Sequence, residues 1–258
     1  MRSAWNGQSF ASNRNVKEGM VLLLRSRLNK IFLVAFVSFL GCLNFSSAQN
    51  PQLQLKTSGQ FPTVIFSAVR WNADPSYYSI AIDATGTATY LSAPEGLDKT
   101  GIPYTTEFQV SDRTRRIVFN LSQKMDYFAG SYGELQSSPE THNVYTLSYR
   151  YGSVNNQYTY STSSDADLEE LTSVLEELSQ TFEFGRRLTD DKLHNHRAIG
   201  AQLELMKSKA DRHALRDLPA LVPILRNLAG DASVDAAARK QASSLIKLAQ
   251  SNAQLATP

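Results

Sequence analysis

The chain has 258 residues, 42% of them hydrophobic and 19% charged, with a formal net charge of +2 and one cysteine. That is the balance of a folded soluble protein with enough apolar material for a real core, divided into one or two domains. One cysteine excludes an internal disulfide framework, and so small a net charge gives no sign of a nucleic-acid binder.

The N-terminal segment reads as an address. Ile31 to Leu40 is an uncharged apolar run preceded by Arg25, Arg27 and Lys30, and Ser46-Ser47-Ala48 supplies small residues for a signal peptidase. This is the layout of a secretory signal, with cleavage expected after Ala48. The run is short of the about 20 residues a membrane span needs; an uncleaved anchor is the alternative. Residues 1–19 form a polar extension, which leaves Met20 as an alternative start. Phe39-Leu-Gly-Cys42 has a loose likeness to a bacterial lipobox, which makes a lipoprotein the second possibility; otherwise Cys42 leaves with the signal. In either case disulfides, thiol catalysis and cysteine-ligated metal are excluded from the mature chain. Removing residues 1–48 takes away six of the 26 basic residues and one of the 24 acidic ones, which leaves a net charge of −3. The basic excess therefore belongs to the leader, and no nucleic-acid partner is expected. Nor is a stable membrane span expected in the mature chain.

Residues 49–61 read as a polar lead-in. Pro62 to Trp71 is a predicted strand with apolar groups on both faces, the pattern of a central strand. Tyr78–Asp83 and Thr87–Ser92 flank the turn Asp83-Ala-Thr-Gly86 as a hairpin, and Tyr104–Val110 follows as a fourth strand. Ser111 and Asp112 are suited to cap a helix to about Phe128, with Ile117, Leu121, Met125 and Phe128 as its apolar stripe. Residues 130–143 are expected to be a long loop, and loops of that length are often functional. Val144–Tyr151 and a returning strand bearing Tyr158 and Tyr160 come next. All eleven tyrosines lie between Tyr77 and Tyr160. From Ser164, the residues Leu168, Leu171, Leu175, Leu178 and Phe182 mark the cleanest amphipathic helix, with Glu169, Glu170, Glu176 and Glu177 on its other side. No aromatic residue occurs after Phe184, and this shift suggests a boundary at 185–189. Three helices are predicted beyond it, at about 190–209, 216–229 and 234–250. Pro223 either falls in the first turn of the second of these or kinks it.

Two resemblances enter here. Residues 218–250, with a Leu/Ile-rich helix, the Gly230-Asp231 turn and an Ala-rich second helix containing Arg239, resemble one HEAT-type helical hairpin. HEAT arrays imply interaction surfaces, and three or more repeats are needed for a solenoid, so a three-helix annex is the expectation. The block 62–184, with Tyr78-Ser-Ile-Ala-Ile-Asp83, Gly86 and Tyr90 followed by a helix, Tyr-rich strands and a second helix, resembles small uncharacterised α+β domains of exported bacterial proteins. No activity comes with that likeness.

Several groups of residues are candidates for chemistry. His194 and His196 are two residues apart and leave a helix on different faces; Asp190, Asp191 and His194 are better spaced but supply no zinc-type set of three or four ligands. His142, with Ser137 or Ser138 and Asp126, supplies the residue types of a catalytic triad without the Gly-x-Ser-x-Gly elbow. Glu134 and Glu140 are a possible carboxylate pair. No phosphate-binding glycine loop occurs. Tyr145, Tyr149, Tyr151, Tyr158 and Tyr160 are either a stacking surface for a ligand or partner, or packing beneath the helices. Arg113, Arg115, Arg116 and Lys124 form a basic helix face that suits an acidic neighbour such as 169–177.

The expected fold is α+β: an antiparallel sheet of five or six strands, two helices on one face, and a C-terminal helical annex. The domain division is 1–48 leader, 49–61 lead-in, 62–184 α+β domain and 190–250 tail. The expected function is a non-catalytic exported module, periplasmic or secreted, that binds an unidentified protein or envelope component without a cofactor. The alternative is a hydrolase centred on 130–143, with His142 as its one candidate catalytic residue.

Overall fold

A computed structural model of the chain describes residues 60–93, 103–135 and 143–255, the last four of these without side chains. The leader with Cys42, the lead-in up to residue 59, and Ser137, Ser138, Glu140 and His142 lie outside the described residues. The strands are β1 (Thr63–Val69), β2 (Tyr77–Asp83), β3 (Thr87–Ala93), β4 (Tyr104–Gln109), β5 (Gly133–Glu134), β6 (Val144–Tyr151), β7 (Val154–Tyr160) and β8 (Thr162–Ser163). The helices are α1 (Asp112–Lys124), α2 (Ala166–His194), α3 (Ala198–Asp211), α4 (Val222–Gly230) and α5 (Ala236–Leu255). The fold is α+β, as expected.

Six strands form one antiparallel sheet in the order β4-β3-β2-β1-β6-β7. β1 is central, between β2 and β6, which accounts for its apolar residues on both faces. The β2–β3 hairpin turns at Gly86, whose φ of +89° is a left-handed conformation that strains any residue with a Cβ. The register sets out two transverse rows on the helix-facing side. Tyr90, Ile80, Phe66, Leu147 and Tyr158 make the first row, and Ser92, Tyr78, Ala68, Tyr145 and Tyr160 the second. α1 and α2 cover this face, and Val118, Leu121, Leu168, Leu171, Leu175 and Leu178 are buried against it. The other face carries a small separate cluster of Tyr77, Ala81, Leu91 and Ala93.

Three predicted elements differ from the observed ones. The first helix ends at Lys124 rather than Phe128, because Asp126, Tyr127 and Phe128 all have positive φ. Such left-handed residues cost about 1–2 kcal/mol each. The turn is held by burial of Phe128, by the Tyr127 ring 4.4 Å from Tyr149, and by Asn156 donating to the Tyr127 carbonyl. Part of the predicted loop is a strand: Gly133–Glu134 pairs with Thr162–Ser163 as a second, two-stranded sheet. The largest difference is α2, a helix of 29 residues that runs unbroken through 185–189. The composition changes there because the helix changes neighbours, from the sheet to the tail. Residues 181–185 are all buried, as befits a helix covered on both sides. The first tail helix therefore begins at Ala198 rather than near residue 190.

The tail docks on α2. Gly185 lets Leu221 and Ile224 approach the helix backbone, since a Cβ there would lie 2.9 Å from Leu221 Cδ2. Arg216 pairs with Glu177 at 2.9 Å, and Lys192 with Asp231 at 2.8 Å. Asp217 accepts from the Ser111 amide (3.1 Å) and the Thr114 hydroxyl (3.2 Å), which anchors the tail to the start of α1. Pro223 falls in the first turn of α4, where its missing N–H is tolerated. Among the described residues, no helix is long and apolar enough to cross a membrane.

Candidate functional site

Tyr90 of the first row, the second row of the sheet and one face of α2 build the site. Glu176, Ser179, Gln180, Glu183 and Arg187 recur at helical spacing, so they share one side of the helix. That side lies over Tyr145, Tyr78, Tyr90 and Ser92. Glu176 Oε1 accepts from the Tyr145 hydroxyl at 2.9 Å. Glu183 Oε2 accepts from Tyr90 (3.1 Å) and Ser92 (3.2 Å).

Glu183 is 8% exposed, and a buried carboxylate requires partners. It has them within its own helix: Arg186 donates to both its oxygens at 2.6 to 3.0 Å, and Arg187 Nε donates to Oε1 at 3.1 Å. Arg187 reaches on to Asp74, donating to its carbonyl (2.7 Å) and carboxylate (3.2 Å). Burial works against the charge on Arg186, but the hydrogen bonds and charge of Glu183 outweigh it and raise the pKa. Burial, and then the charge of Glu183, push the Tyr90 hydroxyl well above the usual tyrosine range.

Beside this network a cleft of about 380 Å³ opens between α2, the end of β1 with the following turn, and α3. Tyr78 forms part of its wall, Arg70 and Pro75 come from the turn, and Leu205 and Lys209 come from α3. Its size falls in the range of small-ligand sites. Lys209 Nζ donates to Gln180 Oε1 at 2.6 Å. Among the described residues the Arg70 guanidinium makes no ion pair, and the Tyr78 hydroxyl donates to no carbonyl or carboxylate. Burial first, then Glu176 and Tyr145, hold the Tyr78 hydroxyl far above its usual pKa, against the opposing effects of Arg70 and Ser179.

The five tyrosines singled out in the sequence divide unequally. Tyr145 stacks on Phe66 (5.8 Å) besides bonding Glu176. Tyr149 is buried against Tyr127, and Tyr160 is buried with its hydroxyl against Thr172. Tyr158 stacks on Tyr160 (5.9 Å) while its hydroxyl bonds the Gly133 backbone, donating to the carbonyl and accepting from the amide. Tyr151 alone of the five is half exposed, at 50%. Four of them thus pack beneath the helices, and only Tyr145 reaches a residue of the cleft wall.

His194 Nδ1 meets the Asp190 carboxylate at 3.0 Å, and His196 Nε2 meets the Lys192 carbonyl. Among the described residues no group of three metal-ligating side chains converges. Glu134 sits in β5, where its carbonyl accepts from the Ser161 amide. In the basic face of α1, Lys124 pairs with Asp167 at 2.9 Å, while Arg115 turns to Asp112 and the Ala84 carbonyl. Sequence reading missed Arg70, Gln180, Glu183 and Lys209 as site residues. The available signal was Glu183 followed at three and four residues by Arg186 and Arg187, next to the apolar stripe residue Phe182.

No family model matches the chain, and no curated protein matches it in sequence.

Proposed function

We propose that the chain is a non-catalytic exported binding module, and that the cleft between α2, α3 and the β1–β2 turn is its recognition site. The observation that carries this reading is the wall of the cleft. The network of Glu183, Arg186, Arg187 and Asp74 is paired within itself, and beside it, among the described residues, stand Arg70, which makes no ion pair, and Lys209, which bonds only the neutral Gln180 amide. Fully paired support behind unspent donors is what a preorganised binding site needs.

Native mass spectrometry of the chain recovered from the cell envelope tests it. The expected result is a bound small species, or the end of an envelope component, that is lost in Leu205→Trp, which fills the cleft. Equal retention by both proteins sinks the cleft as the site. Export is tested on the same sample by N-terminal sequencing: Gln49 is the expected first residue, and an intact leader on the envelope-bound chain would contradict it.

A further inference from the structure

We infer that the cleft recognises a carboxylate, held between Arg70 and Lys209, on a ligand with an apolar body. This rests on the cleft being the binding site.

The charges lining the cleft are Arg70, Arg187 and Lys209 against Asp74, Glu176 and Glu183. Arg187 is spent on Glu183 and Asp74, and Arg186 adds a second cation to the same two acids. Those four charges cancel. Two cations, Arg70 and Lys209, then face one acid, Glu176, which leaves one positive charge in excess. Among the described residues Arg70 has no side-chain partner. Lys209 bonds one neutral amide oxygen, and an ammonium carries three donors. With Gln180 Oε1 taken by Lys209, its amide N–H groups are the part of that side chain left to donate.

The unspent groups are therefore almost all donors, with an excess charge of one. A carboxylate matches both counts, because it is acceptor-only and monoanionic. A phosphate dianion brings a second negative charge toward Glu176 and Asp74, and like charges repel there. The volume is far larger than a bare ion needs, and Leu205, Phe184 and Pro75 line it with apolar surface. The second oxygen of Glu176 remains as the one acceptor, suited to an N–H on the same ligand. An N-acylated amino acid and the C-terminal residue of a peptide present the same chemistry.

Calorimetric titration of the full chain separates the possibilities with four probes: N-acetyl-leucine, N-acetyl-leucinamide, the peptide acetyl-Ala-Ala-Leu with a free C-terminus, and inorganic phosphate. Both carboxylates are expected to bind and the amide is not. Tighter binding by the tripeptide identifies a chain end as the source, and tighter binding by N-acetyl-leucine a free acid. Arg70→Ala and Lys209→Gln are each expected to weaken binding by roughly tenfold or more, the usual loss for a charged hydrogen bond, and Arg70→Ala to leave the melting temperature unchanged in the absence of probe. Acid and amide binding alike, both blocked by Leu205→Trp, overturns the carboxylate while the cleft stands. Acid binding that survives Leu205→Trp overturns the cleft itself. Preference for phosphate, or no carboxylate binding up to about 10 mM, overturns the inference.

Discussion

The Tyr90 hydroxyl reaches Glu183 across 93 positions of sequence, donating to Oε2 at 3.1 Å and fixing the middle of α2 over β3. Glu183 carries that role only because Arg186 and Arg187 neutralise it. Removing one partner of such a buried network strands the others. Glu183→Ala is expected to cost about 3 kcal/mol, and Tyr90→Phe only about 1 kcal/mol, since the carboxylate keeps its arginines. Urea denaturation measures both. A Tyr90→Phe loss as large as that of Glu183→Ala would mean the arginines do not share the load.

Gly185 is the contact through which the tail approaches α2. A leucine there must displace Leu221 and Ile224, of which Leu221 is 2% exposed. Gly185→Leu is expected to destabilise by about 1–3 kcal/mol, although leaving glycine favours a helix by about 1 kcal/mol. For Gly185→Ala the two effects oppose each other and the net change is expected to be small. A leucine variant as stable as the parent would show that α2 and the tail are not in close contact.

Asp217 has a φ of +55° and bonds the start of α1. Alanine there loses the two hydrogen bonds to Ser111 and Thr114, worth about 1 kcal/mol each, and carries a left-handed penalty of about 1 kcal/mol. Asp217→Gly recovers the second part only, and Asp217→Asn keeps most of both. Thermal denaturation is expected to order the variants Ala, Gly, Asn from least to most stable. The reverse order for alanine and glycine would remove the backbone contribution.

The buried tyrosines make the protein sensitive to alkali. Burial raises the pKa of Tyr78, Tyr90, Tyr145 and Tyr160, with nearby Glu176 or Glu183 adding to it. In the unfolded chain these hydroxyls ionise near pH 10. The stability they contribute is thus complete below about pH 10 and is lost as the pH rises through the folded-state values, because the unfolded state releases protons that the native state retains. Melting temperature is expected to fall steeply above about pH 10, and ultraviolet titration to show tyrosinate appearing together with loss of structure. Ionisation of these four near pH 10 in a chain that stays folded would contradict their burial.

Local pattern carried the strands and most of the helices. Alternation placed all six strands of the main sheet, and apolar groups on both faces marked β1 as central. The stripe from Leu168 to Phe182 marked α2, but the loss of aromatics after Phe184 hid its continuation. That loss records a change of neighbour from Tyr-rich sheet to Leu-rich helices, and composition alone cannot separate a new neighbour from a new domain. The left-handed turn at 126–128 was equally hidden, since Asp, Tyr and Phe give no backbone warning comparable to glycine. The cleft was the least legible part. Arg70, Tyr78, Gln180 and Lys209 come from four places in the chain, and each is ordinary where it stands. The tyrosine stripe was legible as a stripe but not as to its purpose, because the same spacing serves a buried face or an open one.

The unbroken passage of α2 through 185–189 bears on how this gene can change. In a linker, a residue gained or lost merely lengthens or shortens the tether. Inside α2 each such event turns everything downstream by about 100° and shifts it by about 1.5 Å. A one-codon deletion at the compositional border would swing Leu205 and Lys209 away from Tyr78 and take the Leu221 contact off Gly185. The length of this stretch should therefore stay constant in related chains even where its surface residues change.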